Sequence, residues 1–264
     1  MNQVQDSWNS GDPYEYFMGR WSSKMAPRFL DWLNVPGQAS WLEIGCGTGA
    51  LSEAIQKNCN PSTLTCIDPS PAFLEKTRQR LAGNPEFAIG SASTIPKPDQ
   101  TFDFVVSALA LNFFPDLPRA LSEMKRVVKI NGTIAAYVWD YADRMDLLRH
   151  FWDAAITVDP GAAQLDEGKR FPICNQSNLK NLFTEAGLLD IQSSYLDIDT
   201  VFTNFDDYWE PFLGGQGPAP GYVISLNKDL KQELKTTLQN TLPVKADGTI
   251  KLMARAIAIR GTNK

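Results

Sequence analysis

The sequence has little that would hold a nucleic acid, a metal ion or a bilayer. Lysine and arginine total 25 against 30 aspartate and glutamate, a formal net charge of −5, so no general basic field is available to a phosphate backbone. There is a single histidine, His150, and the four cysteines, Cys46, Cys59, Cys66 and Cys174, include no CxxC pair, which gives neither a metal cluster nor a disulfide framework. Reduced thiols in a cytosol fit this usage. No apolar run approaches the roughly 20 residues that span a bilayer. The opening stretch, "MNQVQDSWNSGDPYEYFMGRW", is polar and acidic where a signal peptide has a basic start and an apolar core. The expectation is a soluble, cytoplasmic protein with no nucleic acid, membrane or metal partner; its oligomeric state is not legible.

What is present is a chain of 264 residues, 43% hydrophobic, long enough for one large domain with insertions. Short apolar strands alternate with helical patterns between residues 41 and 139, the signal of a parallel sheet covered by helices. The strands are read at 41–44, 64–67, 86–89, 102–107 and 132–139. Between them, "LPRALSEMKRVVKING" puts Leu117, Leu121, Met124, Val127 and Val128 on one stripe, with Pro118 at the start and Asn131-Gly132 closing the helix. Asp68 or Ser70 is placed to cap the helix after the second strand.

Beyond residue 140 the spacing predicts a helix in "DYADRMDLLRHFWDAAITVDP", a loop to about 176, and a helix in "NLKNLFTEAGL" capped by Asn178. A strand follows in "DIQSSYLDIDTVF", then a loop over "GGQGPAPG", a helix at about 226–241 and a long last strand, "IKLMARAIAIRG". Two insertions, 140–177 and 205–248, follow strands, where loops gather over the ligand crevice of open α/β sheets, and are read as helical caps. Residues 1–35 are read as an N-terminal helical lid and 36–139 as the cofactor-binding core of one domain, 1–264.

"WLEIGCGTGALSEAI" (41–55) runs a strand through glycines into a helix, which leaves backbone N–H groups and a helix N-terminus facing a ligand. Gly45, Gly47 and Ala50 satisfy a dinucleotide fingerprint; Gly45, Gly47 and Gly49 behind Glu43 suit S-adenosylmethionine. Charge separates the two, because a carboxylate at Glu43 opposes a pyrophosphate but suits an ammonium and a sulfonium. Asp68, 23 residues past Gly45, is placed to accept both ribose hydroxyls in either case.

The segments "LEIGCGTG", "CIDPSPAFLEKTRQR", "FAIGSASTIPKPDQTFDFVVSALALNFFPD" and "ALSEMKRVVKINGTIAAYVWD" resemble the class I S-adenosylmethionine-dependent methyltransferases, in the group that includes ubiquinone/menaquinone-biosynthesis C-methyltransferases. The resemblance implies a Rossmann-like α/β fold with a seven-stranded sheet, its last strand antiparallel between the fifth and sixth, and helices on both faces. It implies that Gly45, Cys46 and Gly47 line the methionine part of the cofactor with Glu43 behind the loop. Asp68 would bind the ribose with Pro69 and Ser70 near the adenine, Ser91 and Ala92 would flank the adenine, and Ser107 and Ala108 would approach the methyl. Many members carry an acid where this chain has Ser91.

The function implied is methyl transfer to a small-molecule acceptor. An NAD-dependent oxidoreductase and a non-catalytic S-adenosylmethionine-binding protein are the alternatives. Arg20, beside Tyr14, Tyr16 and Trp21, is a candidate partner for the cofactor carboxylate. Asn112, with Phe113 and Phe114 after the fourth strand, and Asp140, between Trp139 and Tyr141, are the candidate catalytic residues, Asp140 being the better base. The aromatic run "FDDYWEPF" (205–212) fits an acceptor pocket or a cap core equally.

Overall fold

The computed structural model describes residues 14–264, so the first part of the expected lid, residues 1–13, lies outside the described residues. The chain divides into two compact units. The sheet unit comprises Ser22–Trp139, Ile173–Leu196 and Ala256–Lys264; the other comprises the N-terminal segment up to Trp21, Asp140–Pro172 and Asp197–Arg255.

Seven strands lie in the order β3-β2-β1-β4-β5-β7-β6. They are β1 (Ser40–Ile44), β2 (Thr63–Asp68), β3 (Glu86–Ile89), β4 (Phe102–Ala108), β5 (Val128–Trp139), β6 (Leu189–Phe202) and β7 (Ile250–Thr262). The first five pair in parallel, and β7 runs antiparallel to β5, with Thr133 opposite Thr262 and Trp139 opposite Ala256. This is the mixed Rossmann-like sheet that the family resemblance implies. Its central strands are buried apolar runs, as a covered parallel sheet requires. Trp41 of β1 stacks on Phe104 of β4 with ring centroids 4.5 Å apart, an arrangement that adds about 0.5–1.5 kcal/mol beyond area burial.

Among the described residues there are ten α-helices: α1 (Arg20–Leu33), α2 (Ala50–Cys59), α3 (Pro71–Arg80), α4 (Leu117–Val127), α5 (Asp146–Val158), α6 (Glu167–Arg170), α7 (Gln176–Glu185), α8 (Phe205–Trp209), α9 (Pro218–Ser225) and α10 (Lys228–Thr241). Ser70, not Asp68, caps α3, its hydroxyl accepting from the Phe73 N–H. Asn175, not Asn178, caps α7, accepting from the N–H groups of Ser177 and Asn178. Ser70 is one of the two caps expected, while Asn175 lies three residues before the one expected, in a stretch where several polar side chains compete for the place.

Two boundaries depart further from the expectation. The helix expected to run to Asn131 stops at Val127, and β5 begins at once at Val128. Asn131 does take up a left-handed conformation, φ 63°, but inside the strand, where the register slips between Phe102 and Phe104 of β4. Left-handed geometry that ends a helix equally well makes a bulge. The second departure is α9, in the stretch read as a loop from its glycines and prolines. Pro218 sits in its first turn, where the missing N–H costs nothing.

The second unit is built on aromatic rings. Phe212 stacks on Phe151 at 4.5 Å and meets Phe17 edge-on at 5.1 Å, and Tyr208 is fully buried with its hydroxyl donating to the Leu147 carbonyl at 2.8 Å. Of the two readings of "FDDYWEPF", the core is the one that the rings fulfil.

Candidate functional site

Three backbone N–H groups of the glycine loop are already donated. Those of Gly45 and Cys46 both go to the Ile67 carbonyl at the end of β2, at 2.8 and 3.1 Å. That of Gly47 goes to the Asp68 carboxylate, Oδ2, at 2.9 Å. This corrects the expectation that the loop presents its N–H groups to a ligand: the donors that a pyrophosphate needs are spent within the protein. Gly47 is held on its other side too, because the Thr77 hydroxyl of α3 donates to its carbonyl at 2.7 Å.

The glycines have different reasons to be glycine. Both take positive φ, +70° at Gly45 and +55° at Gly47, which L side chains rarely adopt. A Cβ on Gly45 would also collide with the Ala110 Cβ at 2.6 Å, so this glycine lets the segment after β4 press against the loop. A Cβ on Gly47 would meet nothing within 4 Å. The face above Gly47 is the open side of the loop.

Asp68 is the hub. One carboxylate oxygen takes the Gly47 N–H, the other takes the Ser70 N–H at 2.8 Å, and the side chain is 5% exposed. Burial raises its pKa, and the two backbone N–H groups act against that rise. Each oxygen accepts one hydrogen bond from the protein and keeps a lone pair, which fits a ribose diol. Pro69 and Ser70 form the turn into α3. Ser91 pairs with Thr94 in an isolated bridge, exposed, with Ala92 buried beside it.

Glu43 is 1% exposed and receives the Ser52 hydroxyl of α2. Burial pushes its carboxyl well above the ordinary range, with Cys66 and Asp68 adding to the rise. It therefore braces the start of α2 from beneath the loop, and its buried position weakens the charge argument that the sequence suggested.

At the end of β4, Ser107 is fully buried and Ala108 half-buried. Leu109 follows at φ 57°, a strained conformation for a branched residue, and its N–H is tied to the Tyr137 carbonyl at 2.8 Å. The chain turns there and brings Asn112 to a position 9% exposed, with neither atom of its carboxamide hydrogen-bonded within the protein. The Ser107 hydroxyl is likewise unpartnered. A buried polar group left unsatisfied costs about 1–3 kcal/mol, so each such group needs a reason to be kept.

The remaining candidates lie in the second unit. Asp140 is 5% exposed; its Oδ1 accepts the Asp143 N–H at 3.3 Å, and burial raises its pKa. Arg20 donates to the Asp207 carboxylate at 2.7 Å and to the Asp207 carbonyl at 3.1 Å, with its guanidinium over the rings of Trp21 and Phe202. Among the described residues no group of histidine, cysteine, aspartate and glutamate is arranged to hold a metal ion, and no helix is long and apolar enough to cross a membrane.

Comparison with known proteins finds similarity to methyltransferases in sequence and in fold. Residues 42–136 match the family model described as "Methyltransferase domain". A relative, 2-methyl-6-phytyl-1,4-hydroquinone methyltransferase 1, chloroplastic, of Oryza sativa subsp. japonica, is 39% identical over 92 residues, covering 34% of this chain and 28% of its own. Demethylmenaquinone methyltransferase of Staphylococcus aureus (strain JH9) is 27% identical over 164 residues, covering 57% of this chain and 68% of its own. The chain thus spans well under two thirds of the first of these relatives. In fold it is similar to Haemonchus contortus phosphoethanolamine N-methyltransferase 2 in complex with S-adenosyl-L-methionine, with a TM-score of 0.59 and 13% identity over 95% of this chain and 56% of that one. Residues 42–136 are thus similar to the methyltransferase domain family.

Proposed function

We propose that the protein is an S-adenosylmethionine-dependent methyltransferase that methylates a small-molecule acceptor in the cytoplasm. The observation that carries this reading is the state of the glycine loop: the N–H groups of Gly45, Cys46 and Gly47 are committed, while the face above Gly47 is open and Asp68 keeps acceptor capacity. The loop is thereby unsuited to a pyrophosphate, while Asp68 keeps capacity for a ribose. The dinucleotide oxidoreductase reading falls on this point and on the family of residues 42–136.

In this reading Gly45, Cys46 and Gly47 support the methionine part of the cofactor, Asp68 the ribose, Pro69, Ser70, Ser91 and Ala92 the adenine side, and Ser107 and Ala108 the methyl end. The bound cofactor supplies a methyl on a sulfonium, an activated group, so the protein has mainly to align the acceptor and exclude water. Asp140 is the candidate base, since a carboxylate with a raised pKa lies nearer the pH at which it would take a proton, a contribution of about 10²–10⁴-fold where the acceptor must lose one. Asn112 offers an unspent carboxamide. Arg20 would bind the cofactor carboxylate by exchanging Asp207 for it. The N-terminal segment and the insertions at 140–177 and 205–248 select the acceptor. The curated relatives named above act on a hydroquinone and a menaquinone precursor by their names, and aromatic acceptors head the panel to be screened.

Calorimetric titration with S-adenosylhomocysteine tests the cofactor. Saturable binding is expected, and no binding at millimolar ligand sinks the reading. Binding with no methyl transfer to any of a broad acceptor panel would shift it toward a cofactor-binding protein without catalysis.

A further inference from the structure

Gly47 is gripped from two sides, and one grip comes from a residue that belongs to no motif. Thr77 lies within α3, 30 residues beyond Gly47 and wholly buried. A threonine inside a helix commonly turns its hydroxyl back to the carbonyl four residues earlier. Thr157, Thr184, Thr236 and Thr241 all do so, at 2.8 to 3.0 Å. Thr77 instead directs its one hydroxyl proton out of its helix, to the Gly47 carbonyl at 2.7 Å. The loop makes way for it. A Cβ on Gly49 would stand 2.8 Å from the Thr77 methyl and 3.1 Å from its hydroxyl, so the third glycine, at φ +84°, admits this side chain. The Cys46 sulfur lies 3.9 Å from the same hydroxyl.

We propose that Thr77 is a positioning residue for the cofactor: its hydroxyl fixes the peptide after Gly47 and, through Gly47, holds the Asp68 carboxylate in the orientation that offers its free lone pairs to the ribose. This rests on the reading of the loop as the cofactor site. The two peptide planes that meet at Gly47 are pinned separately, the one before it by the N–H bond to Asp68 Oδ2 at 2.9 Å and the one after it by Thr77. Glycine has the widest backbone choice of any residue, and the space where a Cβ would stand on Gly47 is open to 4 Å. Its φ of +55° is therefore held by these hydrogen bonds rather than by side-chain packing.

Released by Thr77, Gly47 turns more freely, and the N–H that it offers Asp68 swings with it. Asp68 is then steadied only by the Ser70 N–H at 2.8 Å. A carboxylate that samples several orientations has to be ordered when the ribose arrives, and part of the binding free energy goes into that ordering. Thr77 acts on the cofactor without touching it.

The experiment measures S-adenosylhomocysteine affinity by calorimetry, and exchange of the Gly47 amide by NMR, in the full chain. Thr77→Val keeps the shape that Gly49 accommodates and removes the hydroxyl. It is expected to bind about five- to tenfold more weakly, the size of one lost hydrogen bond, and to exchange the Gly47 amide faster while the amides of α3 are unchanged. Thr77→Ser keeps the hydroxyl and is expected to restore both readouts. Thr77→Ala is the second variant should the valine variant fold poorly, with the same loss expected. In an Asp68→Ala background the loss from Thr77→Val should shrink to less than about twofold, because the carboxylate through which Thr77 acts is gone. Parental affinity or parental Gly47 exchange in Thr77→Val, a loss in Thr77→Ser equal to that in Thr77→Val, or an undiminished loss on top of Asp68→Ala overturns the proposal. A parent chain that binds no S-adenosylhomocysteine sinks the cofactor reading instead, and Gly47 exchange still decides whether Thr77 holds the peptide.

Discussion

The two units of the chain differ in where their buried polar groups are spent. In the sheet unit, hydrogen-bonding capacity is left unspent around the glycine loop: the carboxamide of Asn112 has no partner, and Asp68 uses one lone pair per oxygen. In the second unit several buried polar groups are consumed by the fold itself, although Arg149 Nε and Thr200 Oγ1 are left without a partner. Arg149 holds Asp166 through a two-pronged ion pair, Glu167 takes the Trp152 indole N–H, and the Tyr222 hydroxyl donates to Asp159 at 3.1 Å. The difference teaches where to look for cofactor chemistry. It belongs where polar groups are preorganised and unsatisfied, while the aromatic unit is built for shape.

The comparison breaks most visibly at Phe212. Truncation to alanine empties a stacked, fully buried ring position and is expected to cost about 3–5 kcal/mol of stability, with S-adenosylhomocysteine affinity changed little in whatever fraction remains folded. Denaturant unfolding with a parallel titration checks both halves. A variant that is stable but unable to bind the cofactor would erase the distinction between the units.

Glu167 sharpens it next. Burial raises this carboxyl from 4.5 to about 7, with the nearby Asp166 adding to the rise and the Trp152 N–H and Arg149 opposing it. The folded chain therefore favours its protonated form: the stabilisation is complete below pH 4.5 and is lost as pH climbs through about 7. The loss amounts to about 3 kcal/mol. Glu167→Gln keeps a neutral group at every pH, so its melting temperature is expected to exceed that of the parent at pH 8 and to match it near pH 4. Equal melting temperatures at pH 8 would show that the carboxyl ionises there at no cost.

Asp68 tests the other side. Asp68→Ala orphans the N–H groups of Gly47 and Ser70, at about 1–3 kcal/mol each, and should weaken S-adenosylhomocysteine binding by about 30–100-fold. Asp68→Asn keeps one acceptor and falls between. Unchanged affinity in the alanine variant would remove Asp68 from the site.

The smallest effect is the most diagnostic. Asn112→Leu replaces an unpaired amide with an apolar group of similar size, so stability should hold or rise by about 1 kcal/mol. A melting temperature several degrees lower would mean that the amide has a partner in the folded chain and serves the structure.

Much of the sheet unit is legible in the sequence because its signals are local. β3 falls at 86–89 as read, and the other central strands within a few residues, since each is a short apolar run bounded by turn residues. The glycine loop is legible as a strand–turn–helix for the same reason, and its reading as the cofactor site is a proposal. The partners of its backbone are not legible, because the Asp68 carboxylate that accepts the Gly47 N–H sits 21 residues away and the Thr77 hydroxyl that donates to the Gly47 carbonyl 30 away, and no spacing rule joins them. Glu43 shows the complementary failure: its presence can be read, but not that it faces Ser52 beneath the loop. Asn112 owes its importance to bonds that it does not make, which only a folded structure reveals.

The grip on Gly47 has a consequence in time. With its N–H held by a carboxylate and its carbonyl held by a hydroxyl, that peptide is oriented before any ligand arrives. Binding then needs no loop-ordering step, and association should be a single exponential whose rate rises linearly with ligand concentration. The Gly47 amide should also exchange its hydrogen slowly in the ligand-free protein, resisting deuterium as a strand residue does.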